Sequence, residues 1–283
     1  MSTPSAEAGV GTLDATGGRV VARHTWTAHA SDRFFLGVSA LAFVASAAAT
    51  VLRCASMSSL GTTPMPGGWT MSMAWQRMPG ETWSGAAASF LAMWVVMMVA
   101  MMLPSLVPAL WRYRRAVGIA GAPRLEWLTA AVTIGYFAVW AALGAAVFPL
   151  GAATAAIAMR LPALARGVPI ARGVVVMVAG ALQCTAWAAR LVCWKASPHG
   201  AQPLMPDGRA AWRHGVCLGL SCAYGSAGLT AILLAVGVMD LRAMAVVTAA
   251  ITIERLAPRG GRTARAIGAA AIALGIALIG QAM

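Results

Sequence analysis

Long apolar runs, each near the thickness of a bilayer, alternate along this chain with short polar segments. A helix that crosses hydrocarbon needs about 20 mostly apolar residues. Seven stretches meet or approach that length: Phe34–Leu52, Ala86–Leu110, Trp127–Phe148, Arg172–Val192, Val216–Val238, Leu241–Ile253 and Ala264–Gln281. The sixth is the shortest. It reads either as a half-membrane helix or as a spanning one extended at both ends. The pattern predicts an all-α fold, a polytopic transmembrane helical bundle of about seven spanning helices. Residues 34–283 make one such domain, and residues 1–33 precede it as a polar cytoplasmic tail. That tail is Ser/Thr/Ala/Gly-rich up to Gly18, which predicts disorder there. It has no apolar h-region, so no cleavable signal peptide is expected.

Composition agrees with the pattern. Hydrophobic residues make up 60% of the chain and charged residues 10%, where soluble proteins carry about 25% charged. The net charge of +13 would suggest nucleic acid in a soluble protein. Here the basic residues fall mostly between the apolar runs, where topology determinants belong, so no nucleic-acid partner is expected. With the N-terminus inside, the outer segments hold Arg53, Arg77, Arg160, Arg166, Arg172 and Arg242, and the other 15 of the 21 basic residues lie inside. Removing the sixth helix would move Arg255 to Arg265 outside, so the positive-inside rule supports that helix. The expected topology is N-terminus inside and C-terminus outside. Gly268, Gly275 and Gly280 would let the last helix pack closely on a neighbour.

The strongest local chemistry is sulfur. The second run reads Met-Trp-Val-Val-Met-Met-Val-Ala-Met-Met-Leu-Pro from Met93 to Pro104. Met93, Met97 and Met101 share one helical stripe, and Met98 and Met102 an adjacent one. Thioethers are soft ligands suited to Cu(I), and they avoid placing a charged ligand in lipid. The same run also serves as plain core filler, since Met packs well against aromatic rings. Pro104 and Pro108 follow it and predict a bend. The external loop at 53–85 adds Met57, Met65, Met71, Met73 and Met78, with a Met-x-Met pair between Trp69 and Trp75.

Of the five cysteines, Cys193 and Cys217 fall near the cytoplasmic surface, with His214 three residues before Cys217. Cys193, His214, Cys217 and Cys222 are candidates for a soft nitrogen/sulfur site for Cu(I) or zinc. Read blandly, they are small buried hydrophobes and a surface histidine. Cys54 alone lies near the outer face, so no external disulfide is expected. Gln183 sits in an apolar run and must find an interhelical partner. Asp240 and Glu254 lie at span ends beside arginines, as functional acids or as interfacial ion pairs. No nucleophile elbow, zincin or phosphate-loop motif is present. The chain is not expected to be an enzyme.

Taken together these segments resemble a bacterial family of predicted metal-binding integral membrane proteins, one branch of which includes a membrane copper chaperone encoded beside a tyrosinase-type polyphenol oxidase. The resemblance runs from about Gly85 to Gly260. It rests on Met93 to Pro104 with Pro108, on Gln183-x-Thr185-Ala-Trp187 with Cys193, on Cys217-x-x-x-x-Cys222, on Gly237-Val-Met-Asp240 with Met244, and on Glu254-Arg-Leu-Ala-Pro258. Ala188 stands where that family usually has Lys, Ser221 where a second Cys is common, and Cys193 is single where a pair is usual. The thioether set is therefore matched more fully than the thiol set. The resemblance implies about seven helices in the bacterial inner membrane and handling of copper or another soft metal. It implies Met97, Met98, Met101, Met102, Cys193, Cys217 and Cys222 as candidate ligands. The reading is a membrane copper-binding protein that delivers Cu(I) to a partner metalloenzyme such as a copper-dependent oxidase. Its alternatives are a metal transporter across that membrane and a metal-free scaffold or assembly subunit.

Overall fold

A computed structural model of the chain describes residues 15–59, 63–64, 69–71, 75, 80–117, 122–185, 207–256 and 260–282. Among them are seven helices: α1 Ala15–Ser59, α2 Trp83–Val117, α3 Ala122–Arg160, α4 Pro162–Thr185, α5 Gly208–Val236, α6 Leu241–Leu256 and α7 Gly260–Ala282. The long loop after α1 adds one short antiparallel bridge, in which Thr63–Pro64 pairs with Thr70–Met71. Six of the helices are long and apolar enough to cross a membrane. The outward faces carry large apolar side chains such as Leu41, Leu52, Leu150 and Val246. Such faces suit lipid, so the chain is an integral membrane protein.

The helices outrun the apolar segments at several ends. The third was expected to stop at Phe148, before Pro149, yet α3 continues to Arg160 with Pro149 inside it. α2 likewise contains Pro104 and Pro108, and α4 contains Pro169. Membrane helices tolerate proline because neighbouring groups re-satisfy the freed backbone. In α2 the hydroxyl of Ser105, which lies between the two prolines, donates to the Met102 carbonyl at 2.9 Å. α4 begins ten residues before the expected Arg172, with Pro162 at its first turn, where the missing N–H costs nothing. α6 has 16 residues, about 24 Å of helix against about 30 Å of hydrocarbon.

Glycines set the two closest helix pairs. Between α4 and α7, a Cβ on Gly268 would stand 2.7 Å from the Gly180 carbonyl, and one on Gly275 would stand 2.7 Å from the Gly173 carbonyl. The expected close packing of Gly268 and Gly275 is therefore present, whereas Gly280 meets nothing. Between α3 and α5, a Cβ on Gly135 would stand 2.6 Å from the Trp212 carbonyl, and one on Gly215 would overlap the Val132 carbonyl.

One end of the bundle is tied by Arg114. This arginine of α2, one of the basic residues between the apolar runs, is 2% exposed. Its two terminal nitrogens donate to the two carboxylate oxygens of Glu126 on α3, at 3.0 and 2.9 Å. It also donates to the carbonyl and hydroxyl of Ser31 on α1, at 3.2 and 2.6 Å, and lies over the Phe35 ring. The forked pairing matches guanidinium to carboxylate geometry. The opposite end lies under the loop. The Trp69 indole donates to the Ala165 carbonyl at 2.8 Å, and Trp75 packs on Phe90 with ring centroids 5.2 Å apart. These two contacts join the loop to the starts of α4 and α2.

Candidate metal centre

All five methionines of α2 turn inward. Met97, Met98, Met101 and Met102 are buried, with Met98 and Met102 at 0% exposure, and Met93 is half-buried against the same core. The stripe of Trp94, Met98 and Met102 faces α3 and α5. The Trp94 indole donates to the Trp140 carbonyl at 2.9 Å, and a Cβ on Gly144 of α3 would overlap that indole. Phe90, Trp94 and Phe148 pack beneath Trp75, so an aromatic layer separates the methionines from the loop end.

Met102 meets Cys222. The glycine contacts between α3 and α5 bring the two helices nearly backbone to backbone, and this places Tyr136 of α3 against Cys222 of α5. The Tyr136 hydroxyl donates to Cys222 Sγ at 2.8 Å, and Sγ lies 3.8 Å from Met102 Sδ. Cys222 is wholly buried. The result is a chain of phenol, thiol and thioether drawn from α3, α5 and α2. Two sulfur ligands at about 2.3 Å from one metal, at a near-tetrahedral angle, lie about 3.8 Å apart. The Cys222–Met102 spacing is thus already that of two ligands of one soft ion. Both sulfurs are preferred donors for Cu(I). A buried phenol that donates to the thiol also supports the thiolate that metal binding requires.

Among the described residues, the other candidates His214 and Cys217 stand nearer the start of α5. His214 stacks on Tyr113 of α2, with centroids 5.3 Å apart. Cys217 lies between His214 and Cys222 on α5 and is half-buried. His214 and Cys222 are eight residues apart, about 12 Å along the helix, so they do not share one ion. Cys193 lies outside the described residues, as do Thr185's side chain and Trp187. Among the described residues no group of three or more His, Cys, Asp or Glu could hold a metal. The sulfurs that the structure does bring together, Cys222 and Met102, come from two helices.

Two polar residues singled out in the sequence find partners. The interhelical partner expected for Gln183 is Glu254, whose carboxylate accepts from the amide nitrogen at 2.7 Å and joins α4 to α6. Asp240 caps α6, where its carboxylate accepts the N–H groups of Arg242 and Ala243 at 2.8 and 3.2 Å. Sequence reasoning passed over Tyr136 and Arg114. The signal was available in both, because a phenol or guanidinium in a spanning helix must find a partner.

Fold and site together define a class, that of polytopic α-helical membrane proteins with a thiol and a run of thioethers buried in the bundle. The chain belongs to the PpoB2 copper chaperone family, whose model matches residues 91–278. The match begins in α2 just before the methionine run and ends in α7, so it contains Met102, Tyr136 and Cys222. The family resemblance read from the motifs is thereby shown, and the family is described as one of copper chaperones. No curated protein and no solved structure matches the chain significantly.

Proposed function

We propose that this protein binds Cu(I) as cargo between Cys222 and Met102 and hands it by ligand exchange to a partner copper enzyme. The observation that carries the reading is the 3.8 Å thiol–thioether contact inside the family-matched part of the chain. Copper stays Cu(I) throughout, and only coordination bonds change. Met98 stands one turn from Met102 on the same stripe and is the next thioether available to the ion. Met93, Met97 and Met101 form the adjacent stripe along which cargo moves towards or away from Cys222. Tyr136 holds the thiol in place. Cys193, His214 and Cys217 remain candidates for a separate hand-off point near the arginine-rich end. That end faces the cytoplasm of a bacterial inner membrane in this proposal.

The test is copper content. The protein is purified in detergent under reducing conditions and titrated with Cu(I) against a Cu(I)-selective chelator. Cys222→Ser and Met102→Leu each remove one equivalent of bound copper. Leucine fills nearly the volume of methionine, so a loss in Met102→Leu reports the thioether and not a collapsed core. A wild-type chain that binds no copper at all would sink the proposal and leave the methionines as packing.

A further inference from the structure

A second pair of sulfurs stands at the loop end of the bundle, and the centre described above does not use it. It begins with the turn Gly237–Asp240 between α5 and α6. Gly237 has φ +143°, a conformation open to glycine and strained for other residues. Its N–H donates to the Leu233 carbonyl at 3.0 Å and closes α5. The Asp240 N–H donates to the Gly237 carbonyl at 3.1 Å, while the Asp240 carboxylate caps α6. Val238 is buried between them. The turn is held at both ends, so the position of Met239 is fixed by its neighbours.

Met239 is presented to α1. Val51, Leu52, Arg53, Ala55 and Ser56 of that helix are all exposed, and Cys54 alone among them is buried. Cys54 Sγ lies 3.8 Å from Met239 Sδ. This is the same thiol–thioether spacing as at Cys222 and Met102, and it again matches two ligands of one near-tetrahedral soft ion. An apolar seal between α1 and the turn would need neither a thiol nor a thioether. Met244, one turn into α6, is buried on the bundle side of the pair.

We propose that Cys54 and Met239 form a second Cu(I) site, where cargo enters or leaves the protein at the loop end. The inference rests on copper being the cargo of this chain, as argued above. Cys54 binds as thiolate and releases its proton to solvent. The ion on its thiolate is then a neutral pair, which a helix at the membrane edge can hold at little cost. Two protein sulfurs leave coordination positions open. A donor or acceptor ligand takes those positions during exchange.

The full chain in detergent is titrated with Cu(I) against a Cu(I)-selective chelator, and sulfur in the first coordination shell is counted by X-ray absorption. Wild type is expected to bind two equivalents, with Cys54→Ser and Met239→Leu each binding one. Cys222→Ser also binds one, and Cys54→Ser combined with Cys222→Ser binds none. Met239→Leu keeps the volume of the seal, so it remains informative if Cys54→Ser loosens α1. Two equivalents retained in Met239→Leu would overturn the second site. A wild type that binds a single copper, lost in Cys222→Ser and kept in Cys54→Ser, would overturn it too while leaving the proposed function standing. A wild type without copper would overturn both.

Discussion

At the scale of single residues, the centre depends on a hydroxyl that donates to a thiol. Tyr136 reaches Cys222 Sγ at 2.8 Å within a fully packed core. Hydrogen bonds to charged groups contribute about 1.5–3 kcal/mol, so removing this donor from a copper-bound thiolate weakens binding about tenfold or more. Tyr136→Phe keeps the ring and its edge-on contact with Phe137. Its Cu(I) affinity should fall by that factor in chelator competition, and its thiolate-to-copper absorption band should shift, while the unfolding temperature stays close to wild type. An unchanged affinity and band would make the phenol a packing group. Much of this chemistry was legible in the sequence. The methionine run, its two stripes and Cys222 all stand out by spacing alone. The pairing of Met102 with Cys222, across 120 residues, was not, because spacing within one helix says nothing of which neighbour a stripe will face. The partner of Cys54 was hidden for the same reason. It sits in a turn 185 residues away.

Among the helices, glycine does the positioning. Gly135, Gly215 and Gly219 let α3 and α5 approach until side chains two turns on can touch. A methyl group on Gly215 would overlap the Val132 carbonyl, which is backbone and cannot swing away. Overpacking of this kind costs about 1–3 kcal/mol. It would also part Tyr136 from Cys222. Gly215→Ala should therefore lower both the detergent unfolding temperature and the copper affinity. Gly37→Ala on α1, where a Cβ meets nothing, is the control and should lower neither, since alanine suits a helix interior better than glycine. If Gly215→Ala behaves like Gly37→Ala, the close approach of α3 and α5 is not what assembles the centre. The sequence anticipated the glycines of α7 but not this set, because in a chain with 30 glycines only packing distinguishes a contact from a bias. Helix ends were legible only roughly. Proline ordinarily stops a helix in water, and in this bundle Pro149 does not.

For the molecule as a whole, the contacts order the helices end to end. Ser31 of α1 meets Arg114 and Glu126 at one end. Cys54 at the far part of α1 meets the start of the α5–α6 turn region at the other. From there α6 runs back far enough for Glu254 to reach Gln183, near the end of α4. α7 then returns along α4, with Gly268 beside Gly180 and Gly275 beside Gly173. With α6 counted as a pass, short as it is for a spanning helix, that path makes an odd number. It predicts that the two termini lie on opposite sides of the membrane, with the C-terminus on the side of the loop that follows α1. The basic residues choose the sign. Arg112, Arg114, Arg115, Arg124, Arg209 and Arg213 all lie at the Ser31 end, which the positive-inside rule assigns to the cytoplasm. Fusing a reporter that works only outside the cytoplasm should give activity at the C-terminus and in the loop near residue 60, and none at the N-terminus or between α2 and α3. Activity at neither terminus would mean that α6 dips in and returns. The Cys54–Met239 pair would then stand on the same side as before, but α7 would have to reverse, against its antiparallel glycine contacts with α4. The proposed passage of copper between a site at the outer end and one in mid-bundle depends on α2 crossing the bilayer, because that crossing sets the loop and the arginine-rich end on opposite faces with the methionine run between them.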